Sequence, residues 1–315
     1  MFLPIWYQVM ACGRFMVRLA WLWVLMLMTL AGCGRQPEAA YQPTFTEKSR
    51  TALKEYVVGV HPLHNPKRLL EVYGPILDYA NIRMPDVHFR LEAARNYEEF
   101  DKKLYAGYYD LAMPNPYQTV RAFRYGYRVF AKMGDDEEFR GIILLRKGSA
   151  INEVTDLKGK TIAYPAKTAL AATMMPQYYL HTHGVDVNFD VESRYVGSQE
   201  SAILNVLRGY TAAAATWPLP WQAFSAEHPD MANRLEVKWQ TAPLVNNSWV
   251  ARRDVPQTIV EKFKSQLLSL NHTAEGRKML ARLHISKFES ATNENYLPVV
   301  NFLEVFSSTV REIEW

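Results

Sequence analysis

Cysteine is nearly missing from this 315-residue chain: there are two, Cys12 and Cys33, both close to the amino end. If the chain is cut just before Cys33, the mature protein keeps one thiol, at its first residue. That excludes a disulfide inside the domain that follows, and it excludes a buried cysteine nucleophile. Neither Gly-x-Ser-x-Gly nor Gly-x-x-x-x-Gly-Lys-Ser/Thr occurs, so the usual marks of a nucleophile elbow and of a phosphate-binding loop are missing too. There is no internal repeat and no low-complexity tract. The formal charge is only +4, and Arg14 and Arg18 lie in the leader, which leaves +2 for the rest. A nucleic-acid binder would carry a basic face or stripe. The one acidic cluster, Asp135-Asp136-Glu137-Glu138, reads as a solvated turn.

Acidic residues are also missing from the first 32 positions, and what stands there is informative. Arg14 and Arg18 precede an almost unbroken apolar run over 19–30, and Leu30-Ala31-Gly32-Cys33 closes it. A basic start, an apolar middle and small residues at the cut are the plan of a signal peptide. The cysteine at the cut is the place where a bacterial lipoprotein is lipidated, so residues 1–32 are expected to be removed. A diacylglycerol thioether on Cys33 and an acyl group on its freed amine would supply the two chains that stable anchoring needs. The polar, proline-containing stretch after it, within 33–54, reads as a tether. An uncut membrane anchor is the alternative, although the apolar run is short for a span. Met16 is an alternative start.

About 280 residues remain, enough for two lobes of ordinary size. Apolar periodicity alternates between strand-like and helix-like segments. Strands are expected at 55–60, 87–91, 109–113, 127–132 and 141–146, with helices at 66–80, 97–105 and after Pro116. A second series has strands at 161–164, 191–196 and 212–216 and helices at 170–181 and 200–207. From Pro256 onward the chain is expected to be helical. Such alternation predicts an α/β protein with parallel sheets covered on both faces. The expected lobes are 55–140 with 250–315, and 141–249, with crossings near 141–147 and 245–252. Ligands of open α/β sheets lie beyond the carboxyl ends of strands, where helices begin.

Several landmarks occur in a telling order: Asn96-Tyr97, Gly107 to Ala112 with Asp110, Asn115-Pro116-Tyr117, Lys147-Gly148-Ser149, and Asp156-Leu157-Lys158-Gly159-Lys160. Pro176, His183-Gly184-Val185 and Gly197-Ser198 before Ala202-Ile203 follow. In that order and spacing the chain resembles, over nearly its whole exported length, the phosphate/phosphite/phosphonate solute-binding proteins of ABC importers. The resemblance implies a two-lobed type II periplasmic-binding-protein fold with a hinge and a central cleft that closes on a small oxyanion. It implies a small-molecule ligand, permease subunits as partners, a monomer tethered to the membrane, no cofactor, no metal and no catalytic residue.

The physics of that role is legible. A helix start offers unpaired N–H groups and partial positive charge to an anion, and three such starts are expected to face the cleft: 115–117, 168–172 and 197–201. Tyr97 and Tyr117 match tyrosines of the family's pocket wall. The family's Ser-Thr-Ser-Gly run falls on Ala169, Leu170, Ala171 and Ala172, so its hydroxyl donors are gone. Each lost bond to a charged group is worth about 1.5–3 kcal/mol. Lys167, Thr168 and Thr173 are the nearest polar replacements. Gln199 stands where the family often has His, and Trp217 follows the 212–216 strand. The carboxylates that hold an aminoalkyl ligand fall on Leu219 and Asn247, so no ammonium site is evident. The expected ligand contacts are therefore Tyr97, Asn115, Tyr117, Thr168, Ala169, Leu170, Ala171, Gln199, Trp217 and Asn247.

Two rival readings exist. An enzyme on the same fold is conceivable, with His61/His64 and His181/His183 as candidate metal pairs, although solvated or structural histidines are the commoner outcome. A sensory receptor of the same fold, reporting to a membrane partner, is the other.

Overall fold

The structure, a computed structural model, describes residues 53–314. The leader, Cys33 and most of the tether lie outside the described residues. The first strand, β1 (Lys54–Val60), has a continuously buried carboxyl end, and α1 (Pro66–Arg83) follows it. The start of α1 is set by Asn65, whose side chain accepts from the Arg68 amide, and by Pro66, whose fixed φ suits the first turn. Leu69, Val72, Tyr73, Ile76, Leu77 and Ala80 form its buried face at helical spacing. Next come β2 (Val87–Ala93), α2 (Tyr97–Tyr105), β3 (Leu111–Met113), α3 (Pro116–Ala122) and β4 (Tyr127–Met133).

After β4 the chain enters a second sheet: β5 (Ile142–Arg146), β6 (Thr161–Tyr164), α4 (Met175–Thr182), β7 (Glu192–Tyr195), α5 (Gln199–Leu207), β8 (Ala213–Thr216), α6 (Pro218–Glu227) and β9 (Leu235–Gln240). It then returns to the first sheet through β10 (Ser248–Arg252), α7 (Gln257–Ser269), α8 (Ala274–Arg282), β11 (Phe288–Ser290) and α9 (Leu297–Thr309). The first sheet has the order β11-β4-β10-β3-β1-β2 and the second β7-β6-β8-β5-β9.

Both sheets are mixed, which corrects the expectation of all-parallel sheets. Only β1 with β2 and β3, and β6 with β7 and β8, pair in parallel; β10 and β5 each run antiparallel to two neighbours. The reason is topological. A parallel neighbour needs a crossover helix, whereas β5 and β10 arrive directly from the other sheet. The crossings also shift: 142–146 and 248–252 are strands within the sheets, and the linking segments are 134–141 and 241–247. Three further elements were not expected: α6, β9 and β11. The helical tail is thus interrupted by β11.

The two linking segments are hydrogen-bonded to each other. The Leu244 amide donates to the Phe139 carbonyl (2.9 Å), the Thr241 amide to the Gly141 carbonyl (2.9 Å), and the Asn246 side chain to the Gly134 carbonyl (2.8 Å). Gly141 is needed for close approach: a Cβ there would lie 2.6 Å from the Ala171 carbonyl oxygen. A third connection comes from α9, where Phe302 meets Tyr178 of α4 edge-on and the Val310 carbonyl accepts from the Asn188 side chain (2.7 Å).

One apolar core runs from the first sheet into the inner face of the second. Alternation along β5 divides it: Ile143 and Leu145 join the main core, while Ile142 and Leu144 join a smaller cluster beneath α5 and α6. The centre of the main core is aromatic, with Trp249 against Phe263 (5.6 Å between ring centroids) and Phe263 against Phe89 (4.7 Å). Phe263→Ala should therefore cost about 3–5 kcal/mol in urea unfolding. Phe189→Ala, at a side chain 89% exposed, should change it by less than about 0.5 kcal/mol. Similar values for the two would contradict this account of the core.

Candidate ligand-binding site

The carboxyl ends of β1, β3, β6, β7 and β8 converge where the sheets face one another, and helices α2, α3 and α5 begin there. Each start is locally encoded. Asn96 caps α2 and Ser198 caps α5 by accepting an amide of the first turn, and Asn115 and Gln118 form a reciprocal capping box at α3.

Side chains from these starts bond directly across the two sheets. Gln199 Nε2 donates to Tyr97 Oη (3.2 Å), and Thr216 Oγ1 donates to Gln199 Oε1 (2.8 Å). The Asn115 amide donates to the Thr168 carbonyl (2.9 Å). Because Tyr97 accepts from Gln199, its own O–H proton stays available to a ligand. Burial pushes that hydroxyl's pKa upward, so the proton is retained. His61 lies edge-on to Tyr97 with Nδ1 2.9 Å from the Met113 carbonyl, and burial lowers its pKa to about 4. It is neutral at physiological pH, and its surroundings are structural. His183 Nδ1 is likewise 2.7 Å from the Tyr179 carbonyl within its own helix. Among the described residues no group of three or more His, Cys, Asp or Glu side chains is placed to hold a metal ion.

Beside this network opens a cavity of about 960 Å³, bounded by α2, α3, the 165–168 turn, the start of α5 and the segment after α9. Of the expected contacts, Tyr97, Tyr117 and Thr168 line it; Gln199 lies at a small separate pocket beside His64 and Arg68. Asn115 reaches the site only through Thr168. Trp217 packs on Phe139 (5.3 Å), and Asn247 sits in the returning crossing with its side-chain nitrogen on Met133 Sδ (3.4 Å). Ala169, Leu170 and Ala171 are buried around a π turn, Leu170–Met174, rather than in the first α turn of a helix over 170–181. Pro176 explains it: it has no N–H for the Ala172 carbonyl, so the preceding turn widens and the Met174 amide bonds Ala169 (3.2 Å). Thr173, one of the nearby polar replacements, has a buried hydroxyl with no partner.

Lys167, one of the nearby polar replacements, lines the cavity, and with it stand charges that sequence reasoning missed: Lys102, Arg121 and Arg311 join it in facing Glu98, Asp101, Glu312 and Glu314. Asp101 accepts from Gln118 Nε2 (2.5 Å), yet burial outweighs that bond and the pull of Arg121, and its pKa rises to about 6. A carboxyl whose pKa is raised on folding binds its proton more tightly in the folded state. Stability therefore falls as pH rises from about 4 to about 6 and stays lower above that window. Asp101→Asn should raise stability at pH 7.5 by on the order of 2 kcal/mol, and the gain should vanish near pH 4. Urea unfolding at both pH values reads this directly, and an equal gain at both would refute it.

Two mixed sheets joined by paired crossings, with helix starts gathered between them, define a two-lobed periplasmic-binding-protein fold. The chain belongs to the ABC transporter, phosphonate, periplasmic substrate-binding protein family, whose model matches residues 58–296. It is 24% identical over 181 residues to PhnD1 of Prochlorococcus marinus, described as an ABC transporter phosphite binding protein; the match covers 53% of this chain and 61% of that relative. The chain thus spans less than two thirds of that protein's length. Among solved structures, Prochlorococcus marinus PhnD1 in complex with methylphosphonate is similar, with a TM-score of 0.74 at 20% identity over 81% of this chain and 98% of that one. The binding protein component of an ABC phosphonate transporter from Pseudomonas aeruginosa has a TM-score of 0.75 at 18% identity, covering 82% and 88%. A Xanthomonas citri protein bound to ATP has a TM-score of 0.64 at 15% identity, covering 82% and 100%.

Proposed function

We propose that this chain is the solute-binding component of an ABC importer, held at the periplasmic face by a lipid on Cys33, and that it binds an oxyanion of the phosphonate or phosphite type between its lobes. Lobe motion about 134–141 and 241–247 accompanies ligand capture. The observation that carries this reading is the cavity between helix starts from both sheets, in a chain whose family is that of phosphonate-binding periplasmic proteins. Helix-start amides, the Tyr97 hydroxyl and the cavity's cations supply the attraction for an anion. Binding and release, with no covalent step, complete the proposed role.

A thermal-shift series on the full chain in detergent tests it with phosphite, phosphate, methylphosphonate and an alkylsulfonate. At a hundredfold excess over Kd, a bound ligand adds about 2.7 kcal/mol, or about 5–10 °C in Tm for a domain of this size. No shift with any of the four at millimolar concentration would remove the oxyanion reading. The anchor is tested separately. Metabolic labelling with an alkynyl fatty acid should mark the wild-type protein and leave Cys33→Ser unlabelled and released from membranes; labelling that survives the substitution would rule out Cys33.

A further inference from the structure

Arg121 stands out among the buried cations of the fold. Lys132 has two carboxylates, Asp136 at 2.9 Å and Glu289 at 2.8 Å. Arg252 has Asp110 at 2.8 Å and Asp254 at 2.6 Å, besides the Gly107 carbonyl. Arg121 is as deep, with its side chain 10% exposed, but among the described residues its one ion pair is with Glu314 at 3.3 Å, a side chain 85% exposed, and Asp101 acts on it only from a longer distance. Its Nε is buried without a partner, and its other neighbour is the Tyr117 hydroxyl at a long 3.4 Å. The guanidinium carbon lies over the Tyr105 ring, 4.4 Å from its centroid, a cation–π contact that holds its position even though its hydrogen bonds are not filled. A pre-positioned guanidinium at a cavity wall, whose outer nitrogens hold only a long contact to Tyr117 and an exposed carboxylate, is suited to a bidentate oxyanion.

The segment after α9 supplies the provisional partner. Arg311 ties it to the second lobe through the Lys167 carbonyl (2.8 Å) and Gln177 Oε1 (3.0 Å). Tyr117 donates to the Glu314 carbonyl (2.7 Å), which ties it to the first lobe. Exposed ion pairs such as that of Glu314 are weak, so a better acceptor can take its place. The cavity is at the upper end of the range for organic ligands, and Tyr97, Tyr117 and Tyr195 give it flat apolar walls.

We propose that Arg121 anchors an oxyanion subsite in this cavity, that the subsite takes an organophosphonate with a carbon portion larger than methyl, and that Glu314 is its weak intramolecular occupant, displaced on binding. This deepens the proposed function and rests on it. The Ala-Leu-Ala-Ala run at 169–172 offers no side-chain hydroxyl, and a guanidinium supplies donors with charge attached.

Isothermal titration of the full chain in detergent with phenylphosphonate and methylphosphonate tests the proposal. Phenylphosphonate should bind more tightly than methylphosphonate. Arg121→Gln should weaken it about ten- to hundredfold, and Arg121→Lys, which keeps the charge but loses the paired donors, should weaken it less than Arg121→Gln does. Glu314→Gln should tighten binding about two- to fivefold. Wild-type binding that Arg121→Gln leaves unchanged overturns the subsite and leaves the family's oxyanion role standing. Equal losses in Arg121→Gln and Arg121→Lys, with lowered Tm, would make Arg121 structural and also overturn it. Methylphosphonate binding without phenylphosphonate binding overturns the ligand class. If neither compound nor any of the simple oxyanions binds the wild type, the proposed function itself fails.

Discussion

Everything at the cleft depends on the antiparallel contact between the two linking segments. Helix starts from different sheets can meet only if the sheets keep one relative placement. The bonds from Leu244 to Phe139, from Thr241 to Gly141 and from Asn246 to Gly134 tie the two segments together. The sheets therefore move, if at all, about a hydrogen-bonded ribbon rather than about two independent linkers. Gly141 adds a steric condition, because any side chain there would meet the backbone of the π turn that carries the 169–172 run. The geometry of the crossing and the geometry of the site are in that sense one constraint.

Given that placement, the inner wall is built from neutral polar groups. Tyr97, Gln199 and Thr216 form a short chain of bonds across the lobes, and the neutral His61 packs against it. Such a chain favours closure when each member is satisfied, and an unsatisfied buried member would cost about 1–3 kcal/mol. Charges flank it on both sides: Arg68, Glu200 and Glu227 at the small pocket beside Gln199, and four cations facing four carboxylates in the larger cavity. Asp101 shows how finely that balance stands: Gln118 and Arg121 both favour its ionised form, yet desolvation prevails.

Much of the fold could be read from residues alone, because local signals were strong. Asn65-Pro66, Asn96-Tyr97 and Asn115-Pro116 each announce a helix start through a capping side chain, and all three helices begin there. What escaped was of three kinds. β11 has three residues, too few for a period. Trp217-Pro218-Leu219-Pro220 carries two prolines, which argue against a helix interior, but prolines in a first turn are compatible with a helix, and α6 starts at Pro218. Strand direction is not legible either, because alternation of strand and helix says nothing about strands that enter from another sheet. Of the residues lining the cavity, Tyr97 and Tyr117 are suggested by the family pattern, and Thr168 by its place beside the 169–172 run. Asp101, Arg121 and Arg311 are not, since charged residues on helix faces and near a chain end ordinarily point to solvent, and only tertiary packing puts these three at one cavity.

The departure at 169–172 is best understood by comparing the two ways a protein can hold an oxyanion. Hydroxyls and amides at a helix start offer several weak bonds in fixed directions, and losing two or three hydroxyls removes several kcal/mol at about 1.5–3 kcal/mol each. A guanidinium offers paired, charge-assisted bonds from one side chain, but only if its own position is secured and no firm counterion already occupies it. Tyr105 meets the first condition for Arg121, and the weak, solvent-facing Glu314 meets the second. The two strategies also differ in the ligand they admit. A hydroxyl-lined helix start encloses a small headgroup closely, whereas an arginine at the wall of a roomy cavity leaves space beside the headgroup for carbon. Buried apolar side chains at 169–172, where the resemblance implies a hydroxyl run, and an incompletely bonded arginine in the adjoining cavity are thus consistent with one another and with the proposed ligand class.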